Sequence, residues 1–389
     1  MFLIRLLLLS SLLCLGQIKA ETVQQLYQAY QAHLANDENL MALDKIEQAF
    51  QLSLDKNGVN NATTQALKLN YAQLYVAQRD MNPDYDGAKI MVLLNNYIDF
   101  QRDKHGDLAI ELIDPLMALG TARLWYQSPL REGQREFRDR ARRFGGDRQT
   151  RTRAIRDGRF KAITQFNKAI QIAEQYSQDY PLLPADLQFE AAKELFARGI
   201  EAEVGRELLT KAHTTYASAL DETDARVILS AFWLARALAF GELFSESTRF
   251  YDQVISGFQA AGVATHDKAI ESYKAIIENY ETQGLSELAT PYIQDLGRLL
   301  PWFKVREQVP LYQPAIELTK SSAEQSAEGR FLLTINTDGK VSKVTVLDFL
   351  GDQSLRPIME QALLKRRYTP KYQDGLLVSS QTQATVSIQ

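Results

Sequence analysis

Gly329-Arg-Phe-Leu-Leu-Thr-Ile-Asn-Thr-Asp-Gly-Lys-Val-Ser-Lys-Val-Thr-Val-Leu347 alternates apolar and polar side chains on both sides of an Asp-Gly step. Phe331, Leu333 and Ile335 share one parity, and Val341, Val344, Val346 and Leu347 resume the β-branched and aliphatic character after Asp338-Gly339. This predicts a β-hairpin, closed by a two-residue primed turn with positive φ at both central residues. Downstream, Leu355, Ile358, Met359, Ala362 and Leu363 form one apolar helical stripe. Asp352 or Ser354 is placed to cap this helix, Pro357 sits in its first turn, and Lys365, Arg366 and Arg367 fall where a last turn favours cations. Pro370 is read as its stop. Asp374-Gly375 gives another turn, and Val378, Ser380, Thr382, Ala384, Val386 and Ile388 alternate as a final strand. The predicted order is β-β-α-β.

These motifs, with Arg367-Tyr368-x-Pro370, Asp374-Gly375-x-x-Val378 and the upstream Pro310-Leu311-Tyr312-Gln313-Pro314-Ala315, resemble the C-terminal domain of TonB-type energy transducers. Gln313 stands where that family usually has Pro, and the resemblance covers about a fifth of the chain. It implies a periplasmic module that contacts outer-membrane receptors and other TonB-system components, and it implies binding with no reaction. The expected contact residues are those of the last strand, Val378, Ser380, Thr382, Ala384, Val386 and Ile388, together with Arg367 and Tyr368. No charge or proline interrupts Leu377 to Gln389, so nothing blunts that edge against strand addition.

The rest of the chain reads as helical. Leu26, Tyr30 and Leu34, then Leu43, Ile46, Ala49 and Phe50, recur at three- and four-residue steps between polar turns such as Asn57-Gly58 and Asn82-Pro83-Asp84. Gly199, Gly241 and Gly284 each separate two amphipathic runs and are spaced 42 and 43 residues apart, as in an array of helix pairs. Asp157-Gly158-Arg-Phe160-Lys-Ala162-Ile163, continuing through Phe166, Ala169 and Ile170, resembles the turn and second helix of a tetratricopeptide repeat, with a fainter echo at Tyr85-Asp86-Gly87-Ala88. A non-repetitive α bundle is the alternative. Stacked helix pairs present a concave surface suited to holding another polypeptide.

The expected fold class is therefore α+β, predominantly α: a tetratricopeptide-like solenoid followed by a small β-β-α-β TonB-like domain. The expected segments are a signal peptide over 1–20, the helical domain over 21–305, a linker over 306–328 and the C-terminal domain over 329–389. The signal-peptide reading rests on Arg5 and a leucine run of about ten residues from Leu6 to Leu15, short of the ~20 that a membrane span needs. A retained inner-membrane anchor is the alternative, and export to the periplasm the expectation. Cys14 is the single cysteine, so the exported chain would carry no disulfide.

Formal charge is -4, and about -6 without Arg5 and Lys19, which argues against nucleic-acid binding. One stretch departs from this: Arg131 to Lys161 holds twelve basic and five acidic residues, a net of +7. Arg138, Arg142, Arg143, Arg151 and Arg153 are the candidates there for contact with an anionic membrane surface or acidic partner, against a solvated helical hairpin as the simpler reading. Catalytic, cofactor and metal motifs are not recognisable. His33, His105, His213 and His266 are scattered and read as surface or helix-end residues. The expected function is a non-enzymatic periplasmic adaptor accessory to TonB-dependent transport, with a helical scaffold for envelope or peptidoglycan assemblies as the alternative. Oligomeric state is not encoded legibly.

Overall fold

The computed structural model describes residues 21–82, 85–126, 148–197, 199, 202–300, 308–316 and 326–388, with 148–157 as backbone only. The expected signal peptide, most of the basic stretch and much of the expected linker lie outside the described residues. The chain divides into two compact units, 1–200 and 201–389.

Among its described residues the regular structure of the first unit is all helical: α1 (Val23–Ala35), α2 (Asn39–Asn57), α3 (Ala62–Ala77), α4 (Gly87–His105), a short 3-10 turn (Ile110–Leu112), α5 (Ile113–Tyr126), α6 (Arg148–Gln175) and α7 (Leu183–Ala197). Each α-helix packs on the next in sequence. Local chemistry sets the boundaries. Thr22 and Gln25 form a reciprocal capping box on α1, Asn61 accepts from the Thr63 and Thr64 amides, and Asp86 accepts from those of Ala88 and Lys89. Gly58 ends α2 at φ 79°. The core includes Ile46, Ala49, Ile90, Leu94, Leu119, Phe166 and Leu195, all at most 1% exposed. Where α5 meets α6, a Cβ on Gly120 would lie 2.5 Å from the Phe166 ring, so only glycine lets these helices approach as they do.

One expected turn is corrected here. Helix α6 runs unbroken through Asp157 and Gly158, and Gly158 is buried within it. The second half of that reading holds, since Ala162, Phe166, Ala169 and Ile170 form the buried face. A glycine costs a helix only about 1 kcal/mol, which packing of this stripe outweighs.

The second unit opens with α8 (Ala202–Ala219), α9 (Ala225–Phe240), α10 (Phe244–Ala260), α11 (Asp267–Thr282) and α12 (Ser286–Leu299). Successive helices pack pairwise from α9 onward, and α8 packs on α9. Their core is built from Phe232, Tyr251, Val254, Tyr273, Ile276, Ile293 and Leu296. Gly241 caps α9 and Gly284 follows α11, so two of the periodic glycines sit at the joints of helix pairs; Gly199 follows α7 in the first unit. Among the described residues no helix is long and apolar enough to cross a membrane.

The C-terminal elements of this unit are β1 (Ala327–Ile335), β2 (Val341–Gly351), α13 (Leu355–Leu364), the short β3 (Lys371–Gln373) and β4 (Leu376–Val378), and β5 (Ser380–Ile388). Strands β2, β1 and β5 form an antiparallel sheet in that order, and β3 pairs with β4. Phe331, Leu333 and Ile335 of β1 and Leu355, Met359 and Leu363 of α13 are fully buried in one core, separate from that of the helices.

Three details differ from expectation. The β1–β2 connection is a three-residue loop, with the Gly339 amide donating to Asn336 O and only Gly339 at positive φ. Asn336 decides this: its side-chain oxygen accepts from the Asp338 and Lys340 amides at 3.0 and 2.9 Å, favouring a turn closed by one left-handed residue. The primed two-residue turn occurs instead at Asp374 and Gly375, with φ 52° and 78° between β3 and β4. Helix α13 ends at Leu364, six residues ahead of Pro370, so Arg366 and Arg367 lie beyond its last turn and are buried.

Candidate partner-binding edge

The register fixes which groups face outward on β5. The Asn336 amide donates to Lys340 O across the hairpin, so even-numbered positions of β1 at that end turn their main chain toward β2 and odd ones toward β5. Ile335 obeys this, its carbonyl accepting from Ser379 Oγ at 2.9 Å on the β5 side. Ile335 pairs with Ser380, Leu333 with Thr382, Phe331 with Ala384, Gly329 with Val386 and Ala327 with Ile388, with no register shift. Ser380, Thr382, Ala384, Val386 and Ile388 therefore spend their main-chain groups on β1. Gln381, Gln383, Thr385 and Ser387 direct theirs away from the sheet. Among the described residues no strand pairs with that outer edge.

The side chains follow the same parity. Val386 and Ile388 are buried in the sheet–helix core, Ser380, Thr382 and Ala384 are half-buried beside it, and Val378, at the end of β4, is half-buried too. The expected edge residues thus anchor the strand, and the alternate set carries its open main chain. Sequence parity placed the side chains; which parity points its amides outward required the register.

The other edge is different. β2 is shifted against β1 twice, between Arg330 and Phe331 and between Thr334 and Ile335, and it carries exposed Lys343 and Asp348. Irregularity and charge are the ordinary devices that discourage strand addition. β5 has neither.

Arg367 and Tyr368 lie away from this edge and inside the unit, 2% and 1% exposed. The Arg367 main chain bridges two segments, accepting from the Leu311 amide at 2.7 Å and donating to Tyr312 O at 3.1 Å, with a second bridge to Lys340. Its guanidinium pairs with Glu281 at the end of α11 and donates to Ser286 O, Thr290 Oγ1 and Asp338 O. Burial pushes the guanidinium pKa down, and Glu281 opposes that shift. Ser286 Oγ donates to the second Glu281 oxygen at 2.6 Å. Lys340 pairs with Glu287, Gln294 Nε2 donates to Thr337 O at 3.3 Å, and Tyr372 Oη donates to Gln294 O at 3.0 Å. The pairing of Glu281 with a residue 86 positions on has no local signal in the sequence.

Of the basic cluster, Arg138, Arg142 and Arg143 fall outside the described residues, and Arg151 and Arg153 are placed on α6 as backbone. Among the histidines, His213 is a correction: it is buried, 7% exposed, with Nδ1 2.9 Å from Ser230 Oγ. His266 caps α11 and stacks on Phe258, and His33 lies 2.6 Å from Glu38.

No protein-family model matches the chain, and no curated protein does. Among solved structures it is similar to a Podosopora anserina putative kinesin light chain with nearly identical TPR-like repeats, at 14% identity over 62% of this chain and 96% of that one, TM-score 0.44. It is also similar to a signal-transduction ATPase with a tetratricopeptide repeat sensor from Pyrococcus horikoshii, at 11% identity over 71% of this chain and 35% of that one, TM-score 0.46. A third is the apo form of RapI, at 12% identity over 71% and 76%, TM-score 0.39. The chain is a predominantly α, α+β protein of helices packed in sequence order with a small C-terminal sheet.

Proposed function

We propose that this chain is a non-enzymatic adaptor that holds an extended polypeptide partner on the outer edge of β5, and that it works in the periplasm beside TonB-dependent transport. The contrast between the two sheet edges carries the reading. One edge is bulged and charged, while β5 offers four outward main-chain positions in a regular, uncharged strand. Strand addition would draw affinity from main-chain hydrogen bonds and selectivity from the flanking side chains. TPR-like helix pairs fit the same kind of role, since they present surface to polypeptides without chemistry of their own. The TonB reading is supported by the sequence motifs quoted above and by the hairpin, helix and last strand of the main sheet, between which the short β3–β4 hairpin is inserted.

Photo-crosslinking from Gln381, on the same outward parity of β5, in intact envelopes, with the captured segment mapped by mass spectrometry, tests both levels. TonB-system components or outer-membrane receptors, joined through an extended segment and lost with Gln383→Pro, would support the full reading. Wall-synthesis enzymes at the same edge would move the protein to the scaffold alternative. Crosslinks that survive Gln383→Pro unchanged would remove the edge from the mechanism.

A further inference from the structure

The second unit contains two hydrophobic cores, one among α9 to α12 and one between the sheet and α13, and they share no buried residue. What joins them is mainly polar, with Leu311 and Tyr312 also packing on the helical core. The Arg367–Glu281 pair, the donors from Arg367 to Ser286 O and Thr290, the Lys340–Glu287 pair and the two Gln294 bonds all cross this seam. So does the bridge between Tyr312, whose ring packs on the helical core, and Arg367. The fit is close: a Cβ on Gly339 would meet Ile293 at 2.7 Å, and one on Gly297 would meet Pro370 and Tyr372 at 3.3 Å.

Buried ion pairs specify geometry more than they add net stability, because desolvation offsets most of the attraction. Interfaces of this polar kind between separately cored bodies permit relative motion. We propose that the seam is a clasp: the sheet module undocks from α11 and α12 as a body, with both cores intact, and redocks through Arg367 and Glu281. Undocking uncovers the guanidinium and the Asp338-Gly339 hairpin tip, and frees the module to reorient. The clasp holds whatever partner β5 receives, so it stands apart from the function proposed above.

Native-state amide exchange on the full chain tests it. The Leu311 and Arg367 amides, whose bonds cross the seam, report undocking; Phe331 and Leu333 report the module core, and Ile276 and Ile277 the helical core. The clasp predicts that Leu311 and Arg367 exchange through one shared opening, at least about tenfold more frequent than opening of either core. Glu281→Gln should raise that opening about a hundredfold while Phe331 and Ile276 stay protected. If Leu311 and Arg367 in the unaltered chain exchange only together with the core amides, the two cores unfold as one and the proposal is wrong. Because that comparison uses the unaltered chain, it stands even where the variant fails to fold.

Discussion

Arg367 and Glu281 form an ion pair whose side chains are 3% and 6% exposed, buried where water cannot screen either charge. Removing one partner strands the other. Glu281→Leu is expected to cost about 3–5 kcal/mol in urea unfolding of the unit. The apolar double variant Arg367→Met/Glu281→Leu should recover more than half of that loss, giving a coupling of at least about 2 kcal/mol in a double-mutant cycle. Additive single losses would mean that the pair acts through its neutral hydrogen bonds alone.

Much of this architecture was legible because it is local. The stripe Leu355, Met359, Leu363 needs only a helical period to declare its buried face, and the parity of Phe331, Leu333 and Ile335 declares theirs. The hairpin loop was legible in place but not in type, since one Asn336 side chain with two amide partners outvoted the Asp-Gly preference. The helix end was misplaced for a related reason. Basic residues after Leu364 look like a favourable last turn, yet Arg367 satisfies its charge on Glu281, a tertiary partner that periodicity cannot nominate.

Two glycines at similar φ should respond differently to alanine. Gly339, at φ 78°, would place its Cβ 2.2 Å from Tyr368 O, whereas Gly375, also at φ 78°, has nothing within 4 Å. Gly375→Ala pays only the left-handed penalty, about 1 kcal/mol. Gly339→Ala should cost at least about 3 kcal/mol, because backbone must move as well. Equal losses in chemical denaturation would contradict the close packing of the hairpin tip.

At the joint after α9 the left-handed residue is Glu242, at φ 58°, just past Gly241. A non-glycine residue bears strain there. Glu242→Gly is therefore expected to stabilise the second unit by about 0.5–1 kcal/mol, the gain in the folded state exceeding the added freedom of the unfolded chain. A lowered midpoint would show that Glu242 contributes more than backbone geometry indicates.

Burial holds the His213 imidazole below its usual 6.5, with Arg249 acting in the same direction and hydrogen bonds to Gln253 and Val227 acting against it. The unfolded chain then binds this proton more readily than the folded one. Stability from this site is full above pH 6.5 and declines as pH falls toward the folded-state pKa, by at most about 1.4 kcal/mol per pH unit. His213→Gln should flatten that part of the profile relative to the unaltered chain. An imidazole titrating at or above 6.5 by NMR would overturn the assignment.

Strand addition at β5 makes a prediction at single amides. A peptide selected from a random display library on the full chain should, when bound, slow exchange at Gln381, Gln383, Thr385 and Ser387 by at least about tenfold, the main-chain positions that face away from β1. Thr382 and Ala384, already paired with Leu333 and Phe331, should change little. Gln383→Pro should abolish binding, and Gln383→Ala should keep it. Bound peptides that leave those four amides unprotected, or that hold Gln383→Pro with undiminished affinity, would contradict the account.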